Sequence, residues 1–276
     1  MIKAYFGLTK YPFHSENITL LPHQQNILDT LRVHCQQGGL CLILGEPGTG
    51  KTVIKEALKN FDQQRLITPV VSRTLHTYYN TLRILCEAFK LSADGASFAC
   101  ETRLIQTAFK LNQQGKMLSP IIDDAHLMDV NCLRRIRLLM EDFPKNHNLV
   151  LIGQPKLLSS FSLSSNDDIK SRITYSVIVP KLIPEDIEAF ILSEFDRAGL
   201  GHNVITPEAL TLIARSSEGI IRRARNITIS SLIDAVRDQV KTVDLKQVNN
   251  VLLQPHWRNN QDIFVSLPNN VSQQKG

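Results

Sequence analysis

The stretch Gly45-Glu46-Pro47-Gly48-Thr49-Gly50-Lys51-Thr52 leaves this chain the least freedom. Its glycines let the backbone curl until successive N–H groups face one concavity, a shape that receives an anion. Upstream, Leu40 to Leu44 is an unbroken apolar run, as a strand buried on both faces requires. Downstream, Val53 to Phe61 has apolar residues at helical spacing, with Lys55, Glu56 and Lys59 expected to face outward. The motif therefore predicts a strand-to-helix turn, and the helix N-terminus adds its positive end to the concavity. Residues 45–52 are expected to cradle the phosphates of ATP, with Lys51 reaching the β- and γ-phosphates and the Thr52 hydroxyl entering the shell of Mg²⁺.

At 276 residues the chain can bury one large core or two modest ones. No apolar run is long enough to span a bilayer and the first residues hold no signal-peptide core, so the expectation is a cytoplasmic protein without membrane contact. The five cysteines show no CxxC or Cys/His spacing and read as reduced thiols. Leu66–Ser72, Leu118–Asp123, Leu149–Gln154 and Thr174–Val179 read as further strands alternating with helices, an α/β pattern with a parallel sheet between helical layers. Pro69 places the first of these near an edge or at an irregularity. From Pro184 onward four helical stretches follow with no strand between them. The expected organisation is an aromatic extension over 1–22, a nucleotide-binding α/β domain over 23–183, a helical lid over 184–253 and a polar tail over 254–276. The extension, with Gly7 and Pro12 as breaks, is expected to run extended with its rings on the nucleotide domain or a neighbour. In the tail, Trp257 and Phe264 suit either a partner or the same subunit.

Several residues extend the chemistry. Ile121-Ile122 delivers Asp123 to the metal shell and Asp124 to the attacking water. Asp124 stands where such sites usually carry the longer Glu, and a shortfall of about 1 Å can cost on the order of a hundredfold in rate, so hydrolysis is expected to be slow. Gln154 follows a strand and is placed for the γ-phosphate or the water. Arg172, ahead of Arg137 and Lys170, is the candidate arginine finger, reaching the γ-phosphate of a neighbouring copy. Arg222 opens a helix of the small domain and is expected to fold back onto the nucleotide.

The ordered set YFGLTKYPF, GEPGTGKT, IIDDAH, LIGQP, the single Arg of KSRI and GIIRRARN resembles the AAA+ ATPases of the ExeA/GspA type and the transposition regulators of the TniB/TnsC/IstB group, over roughly residues 5–250. The resemblance implies a P-loop AAA+ sheet domain with an all-α lid, Asp123 as the Walker B acid, Gln154 near sensor 1, Arg172 as the finger and Arg222 as sensor 2. It also implies a homo-oligomer, ring or helical filament, that assembles with ATP on duplex DNA and recruits a transposase, with a target-selection protein as a further partner. The net charge of +5 and a pI near 9.0 suit a polyanionic partner. Arg73, Thr74, Arg83, Arg103 and Lys110 lie in the stretch expected to face DNA phosphates. The alternative reading is an ATPase of a secretion or pilus-assembly pathway; the short polar stretch after the lid and the lack of a span set the expectation against it.

Overall fold

The computed structural model describes residues 2–14, 18–71 and 77–257. The first elements along it are α1 (Ile2–Phe6), α2 (Pro22–Gln37), β1 (Gly39–Leu44), α3 (Lys51–Asn60), β2 (Leu66–Ile67) and β3 (Val70–Val71). Next come α4 (Tyr78–Ala88), α5 (Ser97–Gln113), β4 (Met117–Leu118), β5 (Ile121–Ile122), α6 (Val130–Glu141), β6 (Asn148–Gly153), α7 (Lys156–Phe161), α8 (Asp167–Lys170) and β7 (Ile173–Ile178). The last are α9 (Pro184–Ala198), α10 (Pro207–Ser216), α11 (Ile221–Arg237) and α12 (Leu245–Leu252). Contacts gather the chain into two units, Asn17–Pro180 and a second made of Met1–Glu16 with Lys181–Gly276.

In the first unit five parallel strands run in the order β3-β5-β6-β1-β7. Alternation sends Leu40, Leu42 and Leu44 of β1, with Leu149 and Leu151 of β6, into a core shared with α4, α5 and α6. Cys41, Ile43, Val150 and Ile152 face the other way, against Ile27, Leu28 and Leu31 of α2 and Ile54 and Leu58 of α3. Burial on both faces explains why these strands read as continuous apolar runs, each buried Leu or Ile contributing roughly 1.5–3 kcal/mol.

Pro69 and Pro120 cut their strands in two, because neither supplies an N–H to a ladder. β2 and β4 form a separate two-stranded ladder, while β3 and β5 belong to the main sheet, with β3 at its edge. The irregularity expected at Pro69 is thus present, and Pro120 repeats it on the neighbouring strand. The polar stretch Ser159–Lys170 contains the end of α7 and all of α8. Buried Asn166 holds it in, donating from Nδ2 to the Ser160 carbonyl at 2.8 Å and accepting from Arg134 at 2.9 Å.

The second unit packs α9 to α12 around Ile187, Ile191, Phe195, Ile213, Ile227, Leu232 and Val248. Thr206 caps α10 and Asp244 caps α12 through their side-chain oxygens, and Gly199 ends α9 in the left-handed conformation. The N-terminal segment departs from expectation twice. Ile2–Phe6 is helical, and the segment belongs to the helical unit rather than to the α/β unit. Leu8 enters the helical core, the Phe13 ring lies 5.6 Å from that of Phe190, and the Lys241 ammonium sits 3.7 Å from the centre of the Tyr5 ring. Trp257 packs on the same core, whereas Phe264 lies outside the described residues.

Candidate functional site

The carboxyl ends of β5, β6 and β1 lie side by side, with Ile122 opposite Leu151 and Gly153 opposite Leu44. Asp123, Gln154 and the loop Gly45–Gly50 follow these three strands in turn and so share one rim of the sheet, where open parallel sheets bind ligands. The Gly45 N–H donates to the Gly153 carbonyl at 3.1 Å, which fixes the loop's root to β6. Gly48 and Gly50 have φ of 90° and 101°, the left-handed values that the curl needs and that side chains resist. Buried Thr49 donates its hydroxyl to the Glu46 carbonyl at 3.0 Å and packs where a Cβ on Gly45 would stand. Lys51 Nζ lies at the mouth, 2.8 Å from the Gly45 and Glu46 carbonyls. Thr52 is exposed on the first turn of α3. An ammonium, a hydroxyl, a helix N-terminus and a carboxylate two strands away form a donor set that fits a triphosphate with a hard divalent cation.

Asp123 and Asp124 differ in their backbone. Asp123 extends β5, its N–H donating to the Val71 carbonyl at 2.9 Å. Asp124 turns left-handed at φ 51°, is exposed and opens the short 3₁₀ turn Ala125–Leu127. Its N–H donates to Asp123 Oδ1 at 3.0 Å.

Lys55 departs from the outward placement its spacing suggested. It is buried, with Nζ 2.8 Å from Asp123 Oδ2 and 3.6 Å from Glu56 Oε1. Burial works to lower its pKa, but the hydrogen bond and charge of Asp123, with help from Glu56, outweigh it and leave the ammonium above its usual range.

His126 is a second residue the motif reading left without a role. A Cβ on Gly153 would stand 3.3 Å from its Nδ1, so the glycine makes room for the ring beside Gln154. Burial, with the nearby charges of Lys156 and Lys51, lowers the imidazole's pKa against the opposing pull of Asp124 and Asp123.

The three basic residues considered for the finger have separated. Arg137 is drawn inside, 11% exposed, between Glu141 at 2.7 Å and Asp168 at 3.6 Å. Lys170 is exposed at the end of α8. Arg172 is 64% exposed, held lightly by Glu141 at 3.3 Å. Ile173 pairs with Leu40, so Arg172 stands level with the start of β1, six residues and about 20 Å along the strands from Gly45. It therefore lies at the opposite end of the sheet from its own phosphate loop.

Arg222 is exposed on the first turn of α11, in the helical unit. Of the residues expected to meet DNA, Arg73 and Thr74 lie outside the described residues. Arg83 is exposed on α4 near the Tyr79 ring, and Lys110 is exposed in the last turn of α5. Arg103 is committed elsewhere: its Nη1 donates to the Ser92 and Asp94 carbonyls at 2.9 and 2.7 Å, closing the turn between α4 and α5.

Comparison with known proteins adds three findings. Residues 33–161 match a family model described as an AAA domain. The chain is similar to general secretion pathway protein A of Aeromonas hydrophila, 28% identical over 246 residues, which is 85% of this chain but 45% of that protein, so it spans under half the relative's length. Among solved structures it resembles the Aeropyrum pernix ORC2 protein in ADPNP-ADP complexes, with TM-score 0.71, 15% identity, and coverage of 94% of this chain and 75% of that one. It also resembles the Aeropyrum pernix ORC1 protein in complex with DNA, with TM-score 0.64, 19% identity, and coverage of 84% and 65%. The fold is that of the P-loop AAA+ ATPases. Among the described residues no helix is long and apolar enough to cross a membrane.

Proposed function

We propose that this P-loop AAA+ ATPase is a regulator of DNA transposition: copies loaded with ATP assemble on duplex DNA and present a joined surface to a transposase, alone or with a target-selection protein. The observation that carries the reading is Arg172, exposed and about 20 Å along the sheet from its own phosphate loop, so that it serves a neighbour or nothing. Within each copy residues 45–52 hold the triphosphate, Lys51 leaves the Gly45 and Glu46 carbonyls for the β- and γ-phosphates, and Thr52 and Asp123 hold Mg²⁺. When bound, the cation neutralises phosphate charge. Asp124 takes the water's proton, and Gln154 orients that water or the γ-phosphate. Nucleotide then lies at a subunit interface and tightens it by mass action.

DNA as the scaffold is supported by the basic charge, by exposed Arg83 and Lys110, and by the likeness to an ORC1 protein solved with DNA. The transposition role rests on the ordered motif set shared with that group of regulators. The match to general secretion pathway protein A favours a second reading, an ATPase of a secretion pathway. Electron microscopy of the chain with duplex DNA and a slowly hydrolysed ATP analogue tests both. Rings or filaments enclosing DNA, lost in Arg172→Ala, are the expected result. Assembly indifferent to DNA would transfer support to the secretion reading, and a chain that stays a single subunit would sink both.

A further inference from the structure

Lys55 sits one helical turn beyond Lys51, and its charge is directed neither to solvent nor to the loop. Its side chain is 10% exposed and that of its partner Asp123 is 19% exposed, so the 2.8 Å ion pair between them is nearly dry. The other carboxylate oxygen, Oδ1, accepts the Asp124 N–H at 3.0 Å. Both oxygens of the group assigned above to the metal shell are thus engaged by the chain itself, one of them by a full positive charge. A surface pair would exchange freely for water and matter little. At this burial two cations cannot share one carboxylate oxygen cheaply, because like charges a few ångströms apart repel strongly at low effective dielectric.

We propose that Lys55 is a positioning residue for the metal half of the site: its ammonium neutralises and orients Asp123, and Mg²⁺ gains that carboxylate either by displacing the ammonium from Oδ2 or by entering at Oδ1 against its repulsion. The inference rests on the assignment of Asp123 to the metal shell. Two consequences follow. Nucleotide binds without divalent cation, since the carboxylate that would repel a triphosphate is already neutralised. The Mg²⁺ concentration that gives full binding is higher than Asp123 alone would require.

The test is binding of a fluorescent ATP analogue to the full chain, first in chelator and then across a Mg²⁺ titration, for the unaltered protein, Lys55→Gln and Lys55→Arg. Gln keeps an amide to donate to Asp123 while removing the charge; Lys55→Met carries the same expectation should Gln prevent folding, which melting in chelator without nucleotide reports. The expected result is a Mg²⁺ midpoint lowered about tenfold by loss of the charge, weaker binding in chelator by a similar factor, and near-normal behaviour for Arg. In an Asp123→Asn background the same substitution should change neither quantity, which a merely structural role for Lys55 would not predict. A midpoint that stays within twofold or rises overturns the inference while leaving the nucleotide site standing. A midpoint indifferent to Asp123→Asn overturns the metal assignment, and failure of the unaltered chain to bind nucleotide at any Mg²⁺ overturns the site itself.

Discussion

At Asp124 the backbone explains the side chain. A φ of 51° is costly for most residues but tolerated by Asp and Asn, whose short polar side chains hydrogen-bond locally, so the shorter acid suits the turn even as it shortens the reach to water. Asp124→Glu should raise the hydrolysis rate severalfold in a phosphate-release assay. It should also lower the melting temperature by about 2–4 °C, as a strain of about 1 kcal/mol implies for a unit of this size. Asp124→Asn should leave nucleotide affinity unchanged and stop turnover. His147 makes a different demand. It is 5% exposed, and burial pushes its pKa down to about 4, only partly offset by the Ala108 backbone. Between about pH 6.5 and 4 the unfolded chain binds a proton there that the folded chain refuses, so stability falls as pH drops through that window, by up to roughly 3 kcal/mol. Urea melts at pH 7.5 and 5 should show the loss, and His147→Gln should shrink it.

α6 ends in Glu141, whose carboxylate spans half-buried Arg137 and exposed Arg172 and so ties the proposed finger to the body of the sheet. Glu141→Gln should destabilise the subunit only modestly, by about 1 kcal/mol, since Arg137 keeps Asp168 and the carboxylate is partly exposed. It should leave nucleotide affinity of a dilute single subunit unchanged while lowering the stimulation of hydrolysis that comes with rising protein concentration, and equal loss at all concentrations would remove Glu141 from that role. Elements whose period or punctuation is set locally were legible in the sequence: β1 with its loop, and the break at Pro69. Those fixed by distant partners were not. Lys55 looked like a solvated position because the carboxylate that draws it inward arrives 68 residues later, and α8 hid in a polar stretch held by Arg134 and Asn166. The same holds for Arg103, whose commitment to the Ser92 and Asp94 carbonyls depends on how the turn between α4 and α5 closes.

For the whole molecule, the proposed assembly would couple to DNA binding through charge. A net charge of +5 on each copy would give the proposed ring or filament a long basic surface, and contacts to phosphate release counterions, so binding to duplex DNA is expected to weaken steeply with salt. Each neutralised phosphate adds about 0.9 to the slope of log affinity against log salt. The structure divides the candidate contacts: Arg83 and Lys110 are exposed, while Arg103 is engaged with backbone carbonyls. Measured by fluorescence anisotropy on duplex DNA with a slowly hydrolysed ATP analogue, Arg83→Ala and Lys110→Ala should each reduce the slope by about 1 per copy in contact, uniformly across DNA sequences. Arg103→Ala should instead lower the melting temperature of the free protein and leave the slope alone. Arg172→Ala should lose DNA affinity, and the slope of the residual binding should fall to that of a single copy, since its effect runs through assembly and not through a phosphate contact of its own. A flat salt dependence in the unaltered protein would remove DNA from the account, because the proposed contacts of Arg83 and Lys110 are between cations and phosphates.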